Sequence, residues 1–151
     1  MASTNPTIHL GGLARRLVMD GLLDEATALE AHEKSIKKRQ HFVSYLVSNK
    51  ILNGSEIALS GSQEFGVPLL DLDVMDLESA PVSLVSDKLI HQHHALPLFK
   101  RGSRLYIAVS DPTNLAAIDE FKFHTGVNTE AVLVEEEKLE KIIEEALEKL
   151  D

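Results

Sequence analysis

Residues 96–114 read LPLFKRGSRLYIAVSDPTN, and this stretch decides the fold. Leu96 and Leu98, then Leu105, Ile107 and Val109, recur at period two, which gives each of two short strands an apolar face. Lys100-Arg101-Gly102-Ser103 is a polar link whose glycine can take the positive φ of a tight hairpin. Asp111-Pro112 stops the second strand, because proline has no N–H to give a ladder, and predicts a following helix capped by Asp111. A lone hairpin is marginal in water, so its apolar face needs cover from the flanking segments.

Downstream, Leu115, Ala117, Ile118 and Phe121 form the predicted inner side of a helix that ends at Gly126. Thr129 and Ala131 to Val134 read as a further strand. Glu136 to Leu150 reads as a helix with Leu139, Ile142, Ile143, Ala146, Leu147 and Leu150 on one stripe. Upstream, Ser86 caps a predicted helix through Leu89, Ile90 and His93-His94. Leu69, Leu70 and Leu72 suggest a short strand after the break at Gly66-Val67-Pro68, and residues 73–81 an acidic, turn-rich connection.

The first half has a different grammar. Leu10, Leu13, Ala14, Leu17 and Val18 sit at helical spacing, and Gly21 is the expected stop. Leu22-Leu23 follow, and Asp24 caps a second helix carrying Leu29, His32 and Ile36. Phe42, Val43, Leu46 and Val47 make another short amphipathic helix; Ile51-Leu52 then lead to Asn53, a cap with Glu56 three residues on. These segments superpose at an offset of 29: Leu17-Val18 on Leu46-Val47, Leu22-Leu23 on Ile51-Leu52, and Asp24 on Asn53. Two helix pairs, neither able to bury its stripe alone, are expected to close into one four-helix unit.

The predicted fold is therefore α+β: a small duplicated four-helix unit, then a two-layer α/β sandwich with a central β-hairpin. The expected division is a flexible tail over 1–9, the helical subdomain over 10–66 and the α/β subdomain over 67–151. A chain of 151 residues with no cysteine excludes disulfides, Cys-zinc sites and thiol chemistry. The net charge of −9 makes nucleic acid a poor partner, since such binding leans on phosphate neutralisation. The basic cluster Lys34, Lys37, Lys38 and Arg39 reads as a solvated helix end, and the acidic run after Glu135 as a solvated face.

The ordered combination of the helical repeat, FGVPLLDL at 65–72, HALPLFKRGSRLYIAVSDPTN at 94–114 and TGVNTEAVLVEEEKL at 125–139 resembles the N-terminal region of type IV pilus assembly ATPases of the PilB type, relatives of the secretion ATPase GspE. The resemblance implies a hexameric motor whose ATP and Mg site lies in a separate domain, working in the cytoplasm at the inner-membrane pilus machinery. No stretch of this chain reads G-x-x-x-x-G-K-[ST], so the chain itself is expected to be non-catalytic and to hold no cofactor. The repeat also resembles the module that binds cyclic di-GMP in MshE-type relatives, where Arg-Leu-Gly leads each short helix. Here those positions read Gly12-Leu13-Ala14 and His41-Phe42-Val43. Losing both arginines and both glycines removes the bidentate phosphate contact and the close backbone approach, so direct nucleotide binding is expected to be lost or weak. A direct cyclic di-GMP receptor is the alternative function.

The resemblance further implies regulation through a PilZ-type adaptor that docks on the N-terminal region, with the chain's own ATPase domain as its other partner. The candidate docking residues are Leu10, Leu13, Leu17, Phe42 and Tyr45, an apolar set whose competing reading is internal core. His91, His93 and His94 lack the i, i+4 spacing of a helical metal site and read as a helix end. Ser110-Asp111 reads as a turn, and the basic hairpin tip Lys100, Arg101 and Arg104 as a solvated loop.

Overall fold

The computed structural model describes residues 11–78 and 80–150. The expected tail and Leu10 lie outside the described residues. Four helices come first: α1 (Gly12–Met19), α2 (Glu25–Lys37), α3 (Phe42–Ser48) and α4 (Gly54–Phe65). The duplication seen in the sequence is repeated bond for bond. Leu22 and Leu23 both donate to the Leu17 carbonyl, at 3.0 and 3.4 Å, and Ile51 and Leu52 both donate to that of Leu46, at 2.9 and 3.4 Å. Asp24 accepts from Thr27 N, and Asn53 from Glu56 N within a full capping box. Leu17 and Leu46, each 0% exposed, centre a cluster with Leu13, Ala14, Leu23, Ala28, Ala31, Val43, Tyr45, Leu52 and Ile57. The chain leaves α1 and α3 through a left-handed residue, which is Gly21 at φ +76 in the first copy and Lys50 at φ +58 in the second. Only the second copy carries the Cβ penalty there.

The second half is α5 (Asp87–His93), β1 (Ala95–Arg101), β2 (Arg104–Val109), α6 (Leu115–Thr125), β3 (Asn128–Leu133) and α7 (Glu136–Leu150), with two 3-10 turns at Leu72–Val74 and Val82–Leu84. The sheet order is β1-β2-β3: the hairpin pairs β1 with β2 antiparallel, and β3 returns through α6 to lie parallel to β2. Pro97 is tolerated because β1 is an edge strand. A bulge between Pro97 and Phe99 breaks the period-two pattern, so Ala95 through Leu98 are all buried. Ile107, Leu105, Leu133, Phe121 and Leu139 anchor this core.

Three local expectations are corrected. Leu69 makes a single bridge to Leu133 rather than a strand, and Leu72 turns into the 3-10 segment, because residues 68–70 pair with the sheet only at its margin. Asn114, not Asp111, caps α6; Asp111 instead accepts from the Thr113 amide and hydroxyl, closing a turn before the helix. The buried face of α2 is Ala28, Ala31 and Ser35, one position round from Leu29, His32 and Ile36, with Leu29 half-buried at the edge of the same cluster.

The two copies differ in a second stripe. α4 buries Gly54, Ala58 and Gly61 in addition to its inner face. A Cβ on Gly54 would collide with the Glu137 carboxylate and stand 2.9 Å from Glu136 N; one on Gly61 would lie 3.0 Å from Pro112 Cγ. These glycines let α4 rest directly on the α/β half, and Ala58 belongs to that half's core.

Lys50→Gly removes the left-handed penalty and is expected to raise the urea midpoint at constant m, by up to about 1 kcal/mol, since extra unfolded-state freedom offsets part of the gain. Gly54→Val is expected to lower stability by about 1–3 kcal/mol through overpacking, read in the same titration.

Candidate functional site

Two surfaces carry chemistry, and a polar joint lies between the halves of the chain. The joint is built around Glu136, the first residue of α7 and 4% exposed. It accepts from Ser44 Oγ of α3 at 2.9 Å, from Ser110 Oγ just past β2 at 2.6 Å, and from His94 Nε2 at 2.8 Å. His94 caps α5 in a left-handed conformation, stacks on His41 with ring centroids 5.7 Å apart, and has Nδ1 3.9 Å from Glu140. Burial works against a charged imidazole, but the hydrogen bond to Glu136 and the fields of Glu136 and Glu140 outweigh it, so the His94 pKa is raised. Burial instead lowers the pKa of His93, whose Nε2 is enclosed edge-on to Phe121 without a partner. His94, Glu136 and Glu140 offer ligand atoms within 4.8 Å of one another. The Glu136 oxygens are already engaged by two hydroxyls and an imidazole, so the cluster is a satisfied ion pair rather than a vacant cage.

The first surface is the outer face of α2. At the offset of the repeat, the α4 positions Gly54, Ala58 and Gly61 that dock on the α/β half correspond to Glu25, Leu29 and His32. In the first copy this stripe faces outward: Leu29 is half-buried, His32 is exposed and Ile36, one turn further, is 62% exposed. Phe42 lies against His32, ring centroids 6.2 Å apart, and is itself half-buried. Lys34, Lys37, Lys38 and Arg39 cluster at the same end of the helix.

The second is a cleft lined by Gly12, Arg15, Arg16, Met19, Glu64 and Phe65. Arg16 is tied by Asp20 at 2.9 Å and Glu64 at 2.7 Å. Hydrogen bonds from Ser60 and Arg16 hold the Asp20 carboxyl below its ordinary pKa.

The apolar set read from the sequence is therefore divided. Leu13, Leu17 and Tyr45 are 3%, 0% and 6% exposed and face the helical core, so they do not form a free surface: α1 and α3 both give their apolar stripes to one cluster. Phe42 alone of the described members reaches the surface. Leu29, His32 and Ile36 were legible only through the repeat, by asking what the second copy's glycine stripe replaces. Glu136, read from the sequence as part of a solvated acidic face, is instead buried, and no local pattern marked its joint because the partners lie 26 to 92 residues away.

An α+β module with a helical repeat, a hairpin-centred sheet and a closing helix is the class that this architecture defines. Residues 65–150 match the MshEN domain, and the chain belongs to that family. The match falls on the α/β half, not on the helical repeat from which the resemblance to the nucleotide module was read. Over 144 residues the chain is 40% identical to the type IV pilus assembly ATPase PilB of Pseudomonas aeruginosa, covering 95% of this chain and 25% of that protein. It is 30% identical over 134 residues to the PilB of Myxococcus xanthus, covering 89% of this chain and 24% of that one. The chain thus spans about a quarter of these relatives and is similar to their N-terminal region. Its fold is that of the N-terminal domain of XpsE (TM-score 0.71, 20% identity, 87% of this chain and 91% of that one) and of a structure of MshE with cdg (TM-score 0.62, 23% identity, 90% and 99%). Among the described residues no helix is long and apolar enough to cross a membrane.

Glu136→Gln keeps the shape of the joint but removes its charge, and is expected to cost about 2 kcal/mol at pH 6. Because the folded His94 pKa is raised, its contribution is full below the ordinary histidine value of about 6.5 and is lost as pH rises through the folded value. His93, with a lowered pKa, works in the opposite sense as pH falls. Urea titrations against pH should therefore show a wild-type minus His94→Gln difference that shrinks above pH ~6.5.

Proposed function

We propose that this chain is the non-catalytic docking region of a motor of the PilB type, and that a PilZ-type adaptor binds the outer face of α2. The observation that supports this reading is the broken symmetry of the repeat. The α4 stripe Gly54, Ala58 and Gly61 is covered by the chain's own α/β half, whereas its counterpart Glu25, Leu29 and His32, extended by Ile36 and Phe42, faces outward. An amphipathic helix with aliphatic anchors at Leu29 and Ile36 and a basic end suits helix-surface docking. In this reading the chain works with no cofactor of its own; ATP and Mg serve the motor domain, at the cytoplasmic side of the inner-membrane pilus machinery. Adaptor binding at α2 reaches the motor through α3, the Glu136 joint and α7.

The alternative, direct binding of cyclic di-GMP, is favoured by the likeness of fold to MshE with cdg and by Arg15 and Arg16 at the cleft beside Gly12. Against it, Arg16 is already neutralised by two carboxylates. The positions where glycine would admit a nucleotide hold Ala14 and Val43, 6% and 1% exposed, whose side chains fill the repeat's core.

Pull-down with a PilZ-type adaptor is expected to lose at least tenfold in affinity with Ile36→Glu, about 1.4 kcal/mol, while circular dichroism and Tm stay at the wild-type values because Ile36 is exposed. Normal binding by Ile36→Glu and by Phe42→Ala would place the adaptor elsewhere. Calorimetry with cyclic di-GMP should show no heat; micromolar binding by the isolated chain would select the second reading.

A further inference from the structure

On the α/β half, a cleft of about 340 Å³ opens between residues 75–78, 80 and 82, β1 and α7. Leu96, Ile142 and Ala146 form its floor, and Leu77 and Val82 its wall. Asp76, Glu78 and Glu145 also line it, and no lysine or arginine does among the described residues. Such a site selects an occupant that is aliphatic at its centre and cationic around it. The same chain carries that complement elsewhere. Ile36 projects from the last turn of α2, 62% exposed, with Lys34, Lys37, Lys38 and Arg39 within three residues of it. The cleft takes no lining residue from the helical repeat, so the two surfaces are separate.

We infer that Ile36 and its basic collar on one copy of this chain seat in the acidic-edged apolar cleft of a second copy. The contact is heterologous: every copy offers one knob and one cleft, so copies add head to tail and close into a ring where the rotation permits. Lys34 is paired with Glu30 at 3.4 Å within α2, so Lys37, Lys38 and Arg39 meet Asp76, Glu78 and Glu145 and steer the encounter, and added salt weakens it. The knob lies at the end of the α2 face assigned above to the adaptor, so adaptor and neighbouring copy would compete for it. The inference itself stands on this chain's charges and shape, and its test uses no adaptor.

The natural sequence has no cysteine, which makes site-selective cross-linking clean. Gln40→Cys marks the knob and exposed Ser83→Cys the cleft; Ser103→Cys at the hairpin tip serves as the control. Mixed Gln40→Cys and Ser83→Cys chains treated with a short bis-maleimide are expected to give several-fold more 40–83 heterodimer than the 40–103 mixture. Asp76→Lys with Glu78→Lys on the cleft partner should abolish that excess, and Lys37→Glu with Lys38→Glu on the knob partner should restore it. Equal yields at 83 and 103, a dominant 40–40 product, or indifference to charge reversal would overturn the inference.

Discussion

One buried carboxylate sets how the two halves of this chain meet. A carboxylate taken out of water is costly unless hydrogen bonds replace its hydration. Glu136 obtains them from three elements at once: Ser44 of α3, His94 at the end of α5 and Ser110 past β2. Its neighbours extend the pattern. Glu137 accepts from the Gly54 amide at the start of α4, and Lys138 pairs with Asp71 and Asp73 before and within the first 3-10 turn. Three successive residues in the first turn of α7 thus each hold a different part of the chain. The two glutamates also sit where the helix dipole favours negative charge.

That arrangement explains why a duplicated unit behaves asymmetrically. Both copies use corresponding carbonyls, cap positions and apolar links, and both contribute to one helical core. They part company at the second stripe, where glycine and alanine in α4 permit close approach to α7 and Pro112, while Leu29 and His32 in α2 do not. One helix is thereby covered on both stripes, and its twin keeps the corresponding stripe outward. The basic end of α2, like the basic hairpin tip Lys100, Arg101 and Arg104, stands out in a chain of net charge −9. The joint links the free face to α7 through α3, with His94 as its titratable member.

Much of the fold was legible because local signals agreed. The hairpin, the final helix from Glu136 to Leu150, the caps Asp24, Asn53 and Ser86, and the offset of 29 all follow from periodicity and capping chemistry. Family membership was legible in the same way, through the ordered combination of the helical repeat with residues 65–72, 94–114 and 125–139. Faces were less legible. Period alone could not tell Leu29 from Ala28 as the buried position, because the choice depended on how closely α2 approaches its neighbours. Nor could it show that Leu13, Leu17 and Tyr45 are buried in the helical core rather than exposed to a partner.

By itself, then, the sequence determined the elements, their order and the internal duplication, and it shows a chain with no cysteine and no G-x-x-x-x-G-K-[ST] stretch. Those properties depend on residues close together, where spacing and residue type suffice. Tertiary structure decided which stripe of each repeat is covered, which hydroxyls and imidazole reach Glu136, and where an acidic-lined cleft opens beside α7. These depend on contacts between residues as far apart as Ser44 and Glu136, and no local pattern encodes the distance between two elements until they pack.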